Sequence, residues 1–217
     1  MRLQLGSKVD YYINKQVLIE KCPFFAKHQP LRRPGCEPQE EEVPLFLHGC
    51  TEESLDAFAY YLYRGSYVDI VKGESDTKCA THAYVYVLAE RMFMDELQQQ
   101  ALTNMAREFE ALRPRKLSAE AVMRLQRIVY YNTDDRRATQ EPEICANGVT
   151  ENTINESAPT RPVNKMRNLI AYYTSSMVSD MRKNQSFLDT LETRSEFRED
   201  LLVHLPDRTS LDYGPFC

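Results

Sequence analysis

Three short stretches in the first half of this 217-residue chain decide its predicted fold. Residues 15–25 (KQVLIEKCPFF) join an apolar run to a Cys-Pro-Phe-Phe turn. Residues 58–65 (FAYYLYRG) are typical of the end of a helix, because glycine readily adopts the left-handed conformation that terminates helices. Residues 85–97 (VYVLAERMFMDEL) contain Tyr-x-Leu-Ala-Glu-Arg and then the start of another helix. The order and spacing of the three stretches are more informative than any one of them.

The patterns around these stretches predict short strands and a first long helix. Alternating apolar residues predict a hairpin over 3–13 and further strands over 43–48 and 67–71. A helix is predicted over 52–63, with Thr51 as its cap. Its apolar residues recur at helical spacing and predict one buried stripe: Leu55, Phe58, Ala59 and Leu62.

The rest of the chain is predicted to be helical, with three irregular segments. Residues 79–92 contain many strand formers, but their length and the following sequence favour a helix. Asp95 with Gln98, and Ser186 with Asp189, are interpreted as capping boxes. Further helices are predicted from Ser118 and Lys165 onward and near Leu205. Composition predicts a solvated loop over 29–42, a disordered insertion at about 132–164 and a loose tail from residue 207.

The order of the three stretches resembles that of the BTB/POZ family, and most closely its divergent fungal-type members. The resemblance covers about residues 3–110. It implies an α+β fold in which a BTB/POZ-like small sheet is capped by a helix cluster and followed by an α-helical extension. The corresponding division is a BTB/POZ domain over 1–112 and a helical C-terminal extension over 113–217. The family is a protein-interaction fold without catalytic residues.

Composition disfavours several classes of function. The net charge is −5, so the chain lacks the basic excess that binding to a nucleic acid backbone requires. Six cysteines stand at wide spacings, and no signal peptide is recognised before them, which predicts free thiols in the cytoplasm or nucleus. The longest apolar run, 83–89, is too short to span a membrane. We therefore expect neither nucleic acid nor membrane partners.

The sequence offers little support for catalysis or for a cofactor. Cys36, His48 and Cys50 do not have the spacing of a common zinc module, and no glycine-rich phosphate loop is present. Cys22 precedes a proline in an apolar turn, which favours a buried structural thiol over a nucleophile. Four tyrosine pairs are each expected to have one ring in the core and one half-exposed: 11–12, 60–61, 130–131 and 172–173.

The family resemblance places partner binding on the helix over 52–63, at Leu55, Asp56, Ala57 and Tyr61. The adaptor branch of the family has a hydrophobic-x-Glu pattern there, and Ala57 stands where the Glu is expected. A cullin scaffold is therefore a disfavoured partner. The first strand begins at the first residue, so the dimer helix of the family is expected to be absent and self-association weak. The predicted function is a non-enzymatic scaffold or adaptor; the alternatives are a substrate adaptor of a cullin-based ubiquitin ligase and an unrecognised all-α enzyme.

Overall fold

The computed structural model of the chain describes residues 2–5, 9–27, 45–46, 50–112, 116–133 and 164–205. The predicted loop over 29–42 and the tail from residue 207 lie outside the described residues. The same holds for nearly all of the predicted insertion at about 132–164. Statements below about the structure concern the described ranges.

A small sheet stands at the beginning of the chain. Strand β1 (Arg2–Leu5) pairs antiparallel with β2 (Val9–Tyr12), and β3 (Leu45–Phe46) pairs parallel with β1. The strand order is β2-β1-β3. The hairpin predicted over 3–13 is confirmed by the β1–β2 pairing, whereas the strand predicted over 43–48 is described only at the two residues of β3.

The predicted α+β class is wrong, because the described chain is mostly all-α. The strands have only four, four and two residues, whereas the two longest helices have 17 residues each. The strand predicted over 67–71 is instead a single 3₁₀ turn, Val68–Ile70. Tyr67, which precedes it, is fully buried beside His82, and this packing holds the segment among the helices. The described chain is therefore not a BTB/POZ-like sheet capped by helices, because helices make up most of it.

Ten α-helices account for most of the described chain. The first half contains α1 (Lys15–Lys21), α2 (Pro23–Lys27), α3 (Glu52–Arg64), α4 (Ser75–Arg91) and α5 (Asp95–Ala111). The second half contains α6 (Ala119–Asn132), α7 (Lys165–Ser175), α8 (Val178–Met181), α9 (Gln185–Thr193) and α10 (Ser195–His204). One continuous apolar cluster includes buried residues from both halves.

Helix α3 follows its sequence signals closely. The Oγ1 atom of Thr51 accepts a hydrogen bond from the Ser54 amide at 3.3 Å, and the Oγ of Ser54 accepts one from the Thr51 amide at 3.0 Å. This reciprocal pair satisfies two amides at the helix start. Gly65 ends the helix in the left-handed conformation at φ 76°. The cap and the end predicted for this helix are confirmed, and so is the buried stripe at Leu55, Phe58 and Leu62, whereas Ala59 is only partly buried.

Helix α4 is buried on nearly every side, which is why its sequence lacks a polar stripe. It packs between α3, α5 and α6, and 10 of its 17 residues are buried. A helix that is apolar all round belongs in the interior. Tertiary packing therefore overrides the strand propensity of residues 84–87, and the predicted helix is confirmed.

Two predicted capping boxes are wrong. Asp95 is already the first helical residue of α5, whose cap position is Met94, and no side chain caps this helix start. Helix α9 is capped by Asn184, whose Oδ1 accepts a hydrogen bond from the Phe187 amide at 3.2 Å, so Ser186 lies inside the helix. The sequence pattern of a capping box therefore does not by itself show which residue is the cap, since here the cap lies one or two residues earlier.

A buried arginine joins α6 to α7 and α10. The Nε of Arg167 donates to the hydroxyl of Thr133 at 2.9 Å, and its Nη1 forms an ion pair with Glu196 at 2.8 Å. The guanidinium also stands 4.8 Å from the centre of the Tyr130 ring, whose hydroxyl donates to Asp200 at 2.8 Å. Several hydrogen bonds offset the cost of removing this charge from water.

We expect Phe58→Ala to lower the free energy of unfolding by about 3–5 kcal/mol, the usual cost of truncating a buried phenylalanine. Phe58 is fully buried between α3 and the rest of the core. Chemical denaturation of the variant measures the change directly. Tyr172→Ala, which truncates a ring that is 59% exposed, is the matched control and should cost less than about 1 kcal/mol. Equal effects of the two substitutions would contradict the position of Phe58.

Candidate partner-binding surface

The four residues predicted to bind a partner do not share one surface. Leu55 and Ala57 are fully buried, and Tyr61 is buried except for a small part of its ring. Only Asp56 presents its side chain to solvent. The other three side chains contribute to the core in this structure, because the buried stripe of α3 passes through them.

Tyr61 connects α3 to α5. Its hydroxyl donates a hydrogen bond to Glu96 Oε2 at 3.4 Å. Burial, and then the Glu96 carboxylate, raise the pKa of Tyr61, so its phenol stays protonated and can serve as this donor. Its role in the structure is to position α3.

The exposed side of α3 is acidic at its start and aromatic at its end. Five residues lie on one stripe, which we call the α3 face: Glu52, Glu53, Asp56, Tyr60 and Tyr63. Tyr60 is half-buried, and Tyr63 is 53% exposed. Exposed tyrosines on a rigid helix are typical of protein interfaces, because they contribute contact area at a low entropy cost.

Both ends of the α3 face are held by the β1–β2 hairpin and the residues after it. The hydroxyl of Tyr11 donates to the Glu52 carbonyl at 3.2 Å, and the hydroxyl of Tyr63 accepts from the Asn14 amide at 3.1 Å. Burial is the main cause that raises the pKa of Tyr11, and the Asp56 carboxylate raises it further. Two long-range contacts thus fix the orientation of the helix.

A second exposed feature lies where α4 and α6 meet the start of α3. It is an open cavity of about 380 Å³, which we call the α6 cleft. Its walls are Cys50 and Thr51 before α3, Tyr84 of α4, and Arg124, Arg127, Ile128, Tyr131 and Asn132 of α6.

The α6 cleft is rich in arginine. Arg124 and Arg127 are exposed, and neither forms an ion pair with a carboxylate of the described residues. The Nη2 of Arg91 donates to Asn132 at 3.0 Å, which brings a third guanidinium to the rim. A fourth guanidinium, that of Arg194, lies 3.6 Å from the centre of the Tyr131 ring. Two cations therefore line the cavity, and two more contact side chains of its walls.

The sequence interpretation missed this cleft, although one signal for it was present. Arg124, Arg127 and Tyr131 follow one another at helical spacing on the polar side of a predicted helix. Arg91 and Arg194 are remote in sequence, so their approach to the same cavity could not be read from a local pattern.

The thiols of the described cysteines are not activated. Cys22, Cys50 and Cys79 are free, and burial raises the pKa of each thiol. For Cys79 the pKa rises to about 12, and for Cys50 the charge of Arg91 opposes the rise. A thiolate is needed for nucleophilic attack, so these groups are protonated structural thiols near neutral pH.

Metal ligands do not cluster in the part of the chain that the structure describes. There, no three His, Cys, Asp or Glu side chains stand close enough together to hold a metal ion. Cys36 and His48, which were considered as ligands with Cys50, lie outside the described residues. Among the described helices, none combines the length and the apolar character that crossing a membrane demands.

A buried histidine forms a polar contact within the core. His82 Nδ1 lies 2.9 Å from the hydroxyl of Tyr67, and both residues are almost fully buried. Burial, and to a smaller extent the charge of Lys78, lower the pKa of His82 to about 4. The imidazole is therefore neutral at pH 7, and its hydrogen bond with the Tyr67 hydroxyl joins α4 to the segment after α3.

The lowered pKa of His82 predicts acid-dependent stability. The unfolded chain, with a histidine pKa of 6.5, binds a proton at a higher pH than the folded chain does. The neutral imidazole makes its full contribution to the free energy of unfolding above about pH 6.5. This contribution is lost progressively as the pH falls to about 4, by up to about 3 kcal/mol in all. Urea unfolding across this range measures the loss.

His82→Gln should remove this part of the pH dependence even if it lowers stability at pH 7. His204→Gln changes a half-exposed histidine and is the matched control, which should retain the wild-type slope. If the free energy of unfolding of His82→Gln depended on pH as that of the wild type does, the assignment of a neutral buried imidazole would be contradicted.

Comparisons of this chain with protein-family models, with curated proteins and with solved structures found no match. The resemblance to the BTB/POZ family therefore depends on the three sequence stretches quoted above and stays a prediction.

Proposed function

We propose that the chain is a non-enzymatic protein–protein interaction module of the BTB/POZ family that acts as a scaffold or adaptor. The observation that carries this proposal is the α3 face, where acidic and aromatic side chains are exposed on a helix whose other side is buried. A docking surface on a rigid element loses little entropy when a partner binds. The hydrogen bonds from Tyr11 to Glu52 and from Asn14 to Tyr63, which join the hairpin region to α3, supply that rigidity.

The charge of the α3 face indicates the chemistry of its partner. Glu52, Glu53 and Asp56 are exposed together at the start of the helix. In a dimer formed through this face, the carboxylates of the two copies would repel each other, which disfavours self-association. A partner with lysine or arginine around an apolar centre complements it, because its cations would meet the carboxylates and its apolar side chains would meet Tyr60 and Tyr63.

The cullin-adaptor alternative is less well supported. Its recognition pattern requires an accessible Glu where this chain has Ala57. Ala57 is fully buried, so the position offers neither the charge nor the exposure that such a contact uses. The enzyme alternative has no support from the described thiols or from His82, all of which are held neutral by burial. We assign the proposed module to the cytoplasm or nucleus, in keeping with the free cysteines among the described residues.

The proposal predicts that the binding of partner proteins requires the α3 face. Tagged full-length chain is used to capture proteins from cell extract, and the captured proteins are identified by mass spectrometry. Glu53→Lys with Asp56→Lys reverses the charge of the face and should abolish capture of the functional partner. Asp69→Lys with Glu192→Lys makes the same change in net charge at exposed positions elsewhere and should retain it.

Binding of the identified partner is then measured by calorimetry with purified proteins. We expect affinity to fall by about tenfold or more in the α3-face variant and to change little in the control. Thermal melting of each variant establishes that it is folded. Equal binding by wild type, α3-face variant and control would refute a role of the face, and turnover of a small molecule by the purified chain would refute the non-enzymatic assignment.

A further inference from the structure

We propose that the α6 cleft binds an acidic peptide segment of a partner protein. This inference rests on the proposed function, because it adds a second contact to the same interaction module. The cleft and the α3 face are adjacent, since Thr51 lines the cleft and Glu52 begins the face. A partner with one basic and one acidic segment could therefore occupy both.

Charge complementarity is the first argument for an acidic occupant. The chain as a whole has a net charge of −5, yet Arg124 and Arg127 line this one cavity. Two further arginines contact its lining residues: Arg91 contacts Asn132, and Arg194 contacts Tyr131. Arg124 and Arg127 lie one helical turn apart and have no ion pair with a described carboxylate. Cations placed side by side repel each other, and an anionic ligand between them relieves that repulsion.

The type of cation is the second argument. Arginine presents a planar fork of donors that matches a carboxylate or phosphate group with two parallel hydrogen bonds. The guanidinium of Arg194 lies against the ring of Tyr131, which restricts its position. An anion in the cleft would thus meet donors that are partly preorganised.

Apolar surface inside the cleft favours a peptide over a small inorganic anion. Tyr84 and Ile128 line the cavity, and Tyr131 is 63% exposed beside them. Such side chains can contact the apolar groups that flank carboxylates in a peptide. Free phosphate would use the guanidinium groups and leave this apolar surface in water.

The size and surroundings of the cleft disfavour nucleic acid. A volume of about 380 Å³ holds a few side chains rather than the backbone of a long polyanion. Such a polyanion would also continue onto the acidic start of α3, where Glu52 and Glu53 would repel it. A short acidic segment avoids this repulsion.

Fluorescence anisotropy with a short, labelled peptide of Glu and Leu residues tests the inference on the full chain. The same peptide with Gln in place of Glu removes the charge and should not bind. A peptide with phosphoserine in place of Glu should bind as well or better, because it supplies the same chemistry with more charge. Binding should weaken as salt is raised.

Arg124→Gln with Arg127→Gln is the cleft variant, and Arg107→Gln with Arg182→Gln is the control with the same change in net charge. All four arginines are exposed. We expect the cleft variant to bind the Glu peptide about tenfold more weakly or worse, and the control to bind it as the wild type does. Thermal melting shows whether each variant is folded.

Several results would overturn the inference. They are equal binding by the cleft variant and its control, tighter binding of single-stranded RNA of matched charge than of the Glu peptide, or no peptide binding at low salt. Light scattering provides another: a dimer that the cleft variant dissociates would identify a second copy of this chain as the occupant. If the cleft variant still binds the partner identified through the α3 face at full affinity, this inference fails while the proposed function stands.

Discussion

The burial of α4 is the constraint on which the rest of the structure depends. Small side chains such as Ala80, Ala83 and Ala89 are buried along it, and they let neighbouring helices approach closely. Helices α3, α5 and α6 pack around it. Because α3 and α6 both lie on α4, the outward side of each is fixed relative to the other. The α3 face and the α6 cleft are therefore held in fixed positions, and they adjoin at Thr51 and Glu52.

The second half of the chain supports this arrangement through polar contacts. Arg167 joins α7 to Thr133 at the end of α6 and to Glu196 of α10. Arg194, which stands between α9 and α10, reaches Tyr131 of the α6 cleft. Helices α7 and α10 thus contact α6 from one side, and Arg194 places a cation against Tyr131, a wall of the cleft.

Local signals predicted the parts of the fold that local chemistry determines. Thr51 and Gly65 bound α3 as expected, since a cap and a left-handed glycine act within one turn. Three of the four tyrosine pairs have one buried ring, as Tyr130 and Tyr131 show, but in the pair 11–12 neither ring is in the core. The strand predicted over 67–71 failed because burial of Tyr67 against His82, a contact 15 residues along the chain, outweighs local propensity.

The candidate site was only partly predictable. The helix α3 was identified, but three of its four proposed binding residues lie on the buried side, because the family pattern marks positions without showing which way they face. Asp56 alone is exposed. The cleft is lined by residues from position 50 to position 132, with Arg194 against Tyr131, and only the folded chain brings them together.

Hydrogen exchange of the chain with and without its bound partner tests the central claim most directly. If α3 and α6 present one binding surface on α4, the partner should slow amide exchange in residues 52–64 and 124–132. Exchange in α7 should change less, because no residue of that helix belongs to the α3 face or lines the α6 cleft. Protection confined to α7 through α10, with none in α3, would contradict the account.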